Sequence, residues 1–172
     1  MGRTTHLRQA LRHTFYPFAI DCGFQVDEIT APLGVDFRRF SQDRIDVFDL
    51  QWEKHGRPRF VVNFGQTPSV GVIHFGEYVP PEKVLSYMGA RSGRLQPRRG
   101  ADTSSWFRQD RSFFKRLVLR QPLRPAEEVV EELLSLFQEL ERWFEQGRLG
   151  LHMRLLPYPW QQNKKNAAHP GC

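Results

Sequence analysis

The strongest constraint on how this chain can fold lies near its C-terminal end. Val129, Leu133, Leu136, Phe137, Leu140, Trp143 and Phe144 recur at three- and four-residue spacing, an apolar stripe along one helix. Pro125 suits the first helical position, Glu127, Glu128, Glu131 and Glu132 suit the positive end of a helix dipole, and Gly147 suits its stop. About 20 residues at ~1.5 Å each make a rod of about 30 Å. Such a stripe needs an apolar surface of similar length, and 172 residues have room for one domain to supply it. The expected layout is a single domain over 1–160 followed by a disordered tail over 161–172.

The surface is predicted from strand patterns upstream. Phe48, Leu50 and Trp52 alternate within 45–54, and Phe60, Val62 and Phe64 alternate within 59–65, so each trio occupies one strand face. A third segment, 35–40, precedes the turn signal Ser41-Gln42-Asp43-Arg44. Only an odd-numbered loop puts both trios on the same face, because a one-residue slip inverts every side chain. A three-residue Gly56-Arg57-Pro58 loop does so. It pairs Leu50 with Phe64 and Trp52 with Val62, and it sets Gln51 opposite Asn63 with Asp49 next along the strand. One sheet face is then apolar and the other polar. Trp52, Phe60, Val62, Phe64, Leu133, Phe137 and Leu140 are predicted to be buried together.

Residues 5–22 read as a helix with Leu7, Ala10, Leu11, Phe15, Phe18, Ala19 and Cys22 on its apolar side. Thr4 or Thr5 can cap it, Pro17 must kink or split it, and Gly23 suits the left-handed position beyond its end. Residues 70–75 suggest another strand, and Pro80-Pro81 breaks any continuation. Residues 84–100 read as loop, and 105–119 mix aromatics and cations without clean period. The fold class is α+β: an antiparallel β-sheet with an N-terminal helix and a long C-terminal helix packed on one face.

Composition removes several classes. A 40% hydrophobic content with 14 Phe and 4 Trp argues for a packed core and against wholesale disorder. No apolar run approaches the roughly 18 residues of a membrane-spanning helix, and the first residues lack a secretory core. A cytoplasmic location and no membrane partner are therefore expected. Cys22 and Cys172 make neither a disulfide framework nor a four-cysteine metal site, and Cys22 reads as a small buried hydrophobe. The charge of +6 is uneven. Segment 91–124 holds ten basic residues against two acids, a net +8, and 125–146 holds seven Glu against one Arg, a net −6. Either the two blocks neutralise each other within the fold, or the basic one faces phosphates or an acidic surface.

Catalytic signatures are missing from the chain. It has no G-x-S-x-G, G-x-x-x-x-G-K or G-x-G-x-x-G, and its six His lack the spacing of a zinc helix. No cofactor or metal is expected. Asp46 and Asp49 fall on opposite strand faces and are not a carboxylate pair. The run from Trp106 through Arg108 and Arg111 has the aromatic and cationic composition of a nucleic-acid surface, though aromatics at such spacing commonly pack inward.

The order Cys22-Gly23-Phe24, Phe37-Arg38-Arg39, the strand ending at Gln51, Phe60-Val61-Val62-Asn63-Phe64-Gly65, Arg94-Leu95, and Asp102 with Trp106-Phe107 resembles a bacterial domain-of-unknown-function family. In that family a Gln-bearing strand precedes an F-x-x-N-x-G strand and a D-x-x-x-W-W-type segment; here Trp106-Phe107 stands for the paired tryptophans. The resemblance spans roughly Leu7 to Phe144 and implies an α+β fold without an activity.

These features point to a non-catalytic protein-binding module of the bacterial cytoplasm, such as an immunity or accessory factor. Its contact residues are expected among Asp49, Gln51, Asn63, Arg94, Asp102, Trp106, Arg108 and Arg111. A basic surface favours an acidic protein partner. The alternative is nucleic-acid binding through segment 91–124. An enzyme would require Gln51, Asn63, Arg94 and Asp102 to converge in one pocket. The plain alternative for Gln51 and Asn63 is a cross-strand amide pair serving local structure.

Overall fold

The computed structural model describes residues 4–31, 34–101, 105–110 and 123–156. Its strands are β1 (Gln25–Ala31), β2 (Gly34–Phe40), β3 (Arg44–Trp52), β4 (Arg59–Pro68), β5 (Val72–His74), β6 (Glu77–Val79), β7 (Arg91–Leu95), β8 (Phe107–Arg108) and β9 (Met153–Leu156). The main sheet is antiparallel in the order β1-β2-β3-β4-β7-β9, with β8 also paired to β4; β5 and β6 form a separate hairpin. The helices are α1 (Thr5–Ala10), α2 (Tyr16–Asp21) and α3 (Ala126–Gln146), with a π-helical turn at Leu11–Phe15. The α+β class, with both helical segments on one face of an antiparallel sheet, is as expected.

The apolar patterns meet as their periods require. Phe137 of α3 lies 5.3 Å from the Phe48 ring, 5.5 Å from Phe15 and 5.4 Å from Phe18. Phe48 in turn stacks on Phe37 at 4.4 Å and meets Phe24 edge-on at 4.9 Å. Trp52, Phe60, Val62, Phe64, Leu133, Phe137 and Leu140 belong to one buried cluster, the predicted set. Polar bonds fix the helix on the sheet. Arg39 of β2 donates to Glu141 at 2.8 Å, to Asp46 at 3.0 Å and to the Cys22 carbonyl at 3.0 Å. Gln66 Nε2 reaches the Phe144 carbonyl at 2.7 Å.

Helix ends follow local chemistry. Gly23 has φ 88° and donates to Ile20 O, while Phe24 donates to Ala19 O, a Schellman closure of α2. Gly147 closes α3 at φ 68°. Pro125 is the N-cap of α3 rather than its first helical residue. Thr4 is the N-cap of α1, but its side chain makes no capping bond. The helix expected over 5–22 is divided ahead of Pro17, as that proline requires: a π turn at Leu11–Phe15 separates α1 from α2, with Tyr16 N–H donating to Leu11 O. That spacing absorbs a ring that offers no N–H and crowds the carbonyl four residues back.

Three expectations need correction. The β3–β4 register is displaced by two residues. Leu50 faces Val62, Trp52 faces Phe60, Phe48 faces Phe64, and Asn63 lies opposite Asp49 instead of Gln51. The connection is wider than three residues because the Glu53 carboxylate accepts from His55 N–H at 2.8 Å and Arg57 N–H at 3.3 Å. Pro58 also has no N–H to extend the ladder. An even displacement preserves every face, so the core prediction survives it. Next, segment 84–100 is not all loop. Its residues Arg91–Leu95 form β7 inside the sheet, and Gly93 leaves room for the Phe64 ring and the Arg154 backbone. Finally, the outer sheet face is only partly polar. Ile45, Val47 and Val84 form a second small core, covered by Val72 and Val79 of the hairpin. The expected 70–75 strand survives as β5 of that hairpin, outside the main sheet. Strands β1 and β9 were not anticipated, and the expected tail at 161–172 lies outside the described residues.

Replacing Phe137 by Ala should lower unfolding free energy by about 3–5 kcal/mol in urea titration, since the ring is fully buried among four aromatic neighbours. A loss within about 0.5 kcal/mol, the range of surface substitutions, would refute the docking of α3 by this stripe.

Candidate functional site

Four of the expected site residues meet on the outer sheet face. Asp49 and Gln51 project from β3, Asn63 from β4 and Arg94 from β7, where Asn63 and Arg94 are direct cross-strand partners. Asn63 Nδ2 donates to Asp49 Oδ1 at 2.9 Å and to Gln51 Oε1 at 3.1 Å, and Arg94 Nε donates to Asn63 Oδ1 at 3.0 Å. The amide pair is therefore real, and it belongs to a larger chain of polar groups.

The chain ends on a residue that the sequence did not single out. Ser86 donates its hydroxyl to Asp49 Oδ2 at 2.5 Å from a short 3-10 turn, Ser86–Met88. That turn lies directly on β4 because Gly65 has no side chain: a Cβ there would overlap the Ser86 carbonyl oxygen. Gly89 makes the reciprocal approach to the Gln66 backbone. Two glycines 24 positions apart are the only sequence trace of this contact. Gln51, Asn63, Ser86, Tyr87 and Arg94 line a cavity of about 190 Å³.

Electrostatics single out Asp49. Burial pushes its carboxyl up to about 6; hydrogen bonds from Ser86 and Asn63 and the charge of Arg94 oppose that shift, and Asp36 adds to it. Burial also lowers the Arg94 guanidinium from its usual value, against the pull of Asp49. The arrangement sets a hydroxyl and a cation around a small opening, with the Asp49 carboxyl bonded to two of its lining residues, Ser86 and Asn63. Among the described residues that line it there is no imidazole to activate the hydroxyl. Among the described residues no three His, Cys, Asp or Glu side chains gather as metal ligands, and no helix is long and apolar enough to cross a membrane.

The other expected site residues lie elsewhere. Trp106 immediately precedes β8 and Arg108 is its last residue; the Arg59 guanidinium covers the Trp106 ring at 5.0 Å. They border a separate cavity with Arg98, Arg99, Arg124 and Glu132. Asp102 and Arg111 lie outside the described residues. The convergence required for an enzyme is thus met for Gln51, Asn63 and Arg94. The expected neutralisation between blocks appears at Arg124, which pairs with Glu132 at 3.0 Å and Glu128 at 3.5 Å. Other helix acids draw partners from outside segment 91–124: Arg39 holds Glu141 and His152 holds Glu139.

Asp49 gives the fold a pH signature. Its folded value of about 6 exceeds the 3.8 of an ordinary Asp, so between those values the folded chain binds the extra proton. This group's contribution to stability is thus greatest below pH ~4 and declines as pH rises to about 6, by up to about 3 kcal/mol. Asp49→Asn should remove that decline relative to the parent in urea midpoints taken from pH 4 to 7; an unchanged slope would contradict the assignment. Gly65→Ala should cost about 1–3 kcal/mol through displacement of the Ser86 turn, read by thermal unfolding; a neutral result would mean that the turn is not held against β4.

No protein-family model matches this chain, and no curated protein or solved structure matches it, so the functional reading rests on the geometry itself.

Proposed function

We propose that this chain is a protein-binding module that grips an acidic partner with the outer sheet face and the β5–β6 hairpin. The observation that carries this reading is the hairpin's outward surface. Val72 and Val79 pack inward on Val47 and its neighbours, which leaves the cross-strand pair Ile73 and Tyr78 pointing away. Ile73, Phe75 and Tyr78 are 65%, 77% and 62% exposed, and Val70 beside them is 72% exposed. An apolar cluster of this kind on a small protruding hairpin is the usual mark of a contact surface.

The turn strengthens the argument. Phe75 and Gly76 both have positive φ, 51° and 84°, as a two-residue primed turn demands. Asn, Asp or Gly meets that demand cheaply, whereas a bulky residue there costs about 1–2 kcal/mol. An aromatic ring kept at the tip against its own backbone preference fits a role in contact. Tyr87, half exposed, joins the hairpin to the Gln51–Asn63–Arg94 cavity through His74, whose ring lies 5.7 Å away. Arg154 stands beside Arg94 across the β7–β9 pair. Apolar anchors beside two guanidiniums suit a partner segment that carries a carboxylate next to aliphatic or aromatic side chains. The alternative, nucleic-acid binding through segment 91–124, would use the cations around Trp106 instead of this surface.

The test is affinity capture from source-cell lysate by the parent, by Ile73→Ser/Phe75→Ala and by Arg154→Glu, with unfolding midpoints confirming that each variant folds. The expected result is an acidic protein held by the parent and bound about tenfold more weakly by each variant, as loss of one strong interface contact implies. Retention of the same proteins by all three would overturn the proposal.

A further inference from the structure

The cavity around Trp106 carries a separate inference. It encloses about 590 Å³, within the roughly 300–1,000 Å³ of small-molecule sites. Four guanidiniums face it, from Arg98, Arg99, Arg108 and Arg124, against the single carboxylate of Glu132. Glu132 is already paired with Arg124, whose Nη1 donates to it at 3.0 Å. Arg98, Arg99 and Arg108 are exposed, and among the described residues none of the three makes a side-chain hydrogen bond or ion pair. The described lining therefore carries a net +3, with three guanidinium forks that no described residue pairs.

The walls are built rather than incidental. Gln96 is 1% exposed, and its Nε2 donates to the Ala101 carbonyl at 3.1 Å, which holds the turn that bears Arg98 and Arg99. Gln109 is 5% exposed and clamps Arg124 from both sides: its Nε2 donates to Arg124 O at 2.9 Å, and its own carbonyl accepts from Arg124 N–H at 3.0 Å. Each of these glutamines keeps a buried Oε1 with no partner among the described groups. Two buried amides committed to fixing a cationic rim make sense if the rim must be held open for a ligand.

We infer that this cavity binds a nucleoside di- or triphosphate, its phosphates on the arginine forks and its base against the Trp106 side of the pocket. Guanidinium forks match phosphate oxygens in pairs, and three unneutralised cations suit a cluster of two or three phosphates better than a single carboxylate. Trp106 supplies the aromatic wall that a base requires, and Arg59 at 5.0 Å braces the ring. The cations enclose a pocket on one turn, one short strand and one helix start instead of lining a track. That shape favours a free nucleotide over a nucleic-acid strand, whose backbone needs a cationic groove along several nucleotides. The inference stands apart from the hairpin surface, with which it shares no residue.

Calorimetric titration of the intact protein with ADP, ATP, pyrophosphate and a short single-stranded oligonucleotide, at low and physiological salt, tests this. ADP or ATP should bind more tightly than pyrophosphate, and Arg98→Glu/Arg108→Glu should weaken binding by at least about tenfold, with its unfolding midpoint unchanged. Trp106→Leu should remove the advantage of nucleotide over pyrophosphate, whereas Phe75→Ala should leave nucleotide binding as it was. The proposal is overturned by failure of both nucleotides to bind, by equal binding of pyrophosphate, or by indifference to the double arginine reversal. It is equally overturned by an oligonucleotide that outcompetes ATP with a salt dependence of several phosphates, which would make the cavity part of a strand-binding surface.

Discussion

The rest of the molecule depends on the seating of one apolar helix stripe on one aromatic sheet face. Phe137 enters a ring of Phe15, Phe18, Phe24 and Phe48, and this joins α3, the N-terminal helix and the middle strands in a single buried cluster. Neither surface is stable in water alone, since burial of each large side chain is worth about 1.5–3 kcal/mol only when a partner covers it. Polar bonds then fix where the helix lies. Arg39 bridges β2, β3, the end of α2 and α3, and its guanidinium also covers the Phe24 ring at 4.4 Å. Apolar contact supplies most of the free energy here, and the directed bonds supply the alignment.

With one face committed to the core, the opposite face is free to carry specificity. It is divided between a small apolar patch under the hairpin and a polar chain from Ser86 through Asp49 and Asn63 to Arg94. A carboxyl with its ionisation pushed up to about 6 is a standing cost at neutral pH. A fold concerned only with stability would fill that position with an apolar or neutral side chain. The cost, the strained Phe75 and the exposed Ile73 and Tyr78 all lie on this side, and their concentration is the physical argument for a working surface there.

The Trp106 cavity follows a different logic. Its cations come from the turn after β7, from β8 paired to β4 and from the start of α3, and among the described residues the opposite charge blocks neutralise each other where Arg124 touches the helix acids. Arg98, Arg99 and Arg108 remain exposed. Charge counts along a chain give a net field, and the fold decides which charges are already spoken for.

The amphipathic periods were enough to determine the α+β class, the core face of β3 and β4 and the docking stripe of α3, because burial leaves a repeat in the sequence whatever the loops do. Gly23 and Gly147 were legible for a similar local reason, since few other residues accept their backbone angles at a helix end. The sequence also marked Asp49, Gln51, Asn63 and Arg94 as chemistry-bearing residues. Register, however, turned on the Glu53 carboxylate holding two loop amides, and β7 turned on Gly93 admitting Phe64 and the Arg154 backbone. Ser86 joined the site only because Gly65 lets a distant turn touch β4. These are contacts between residues far apart in the chain, chosen by shape and hydrogen-bond geometry, and no local period records them. The sequence alone determined which faces are buried; tertiary structure decided which residues meet on the faces left over, because that choice depends on close approach in three dimensions.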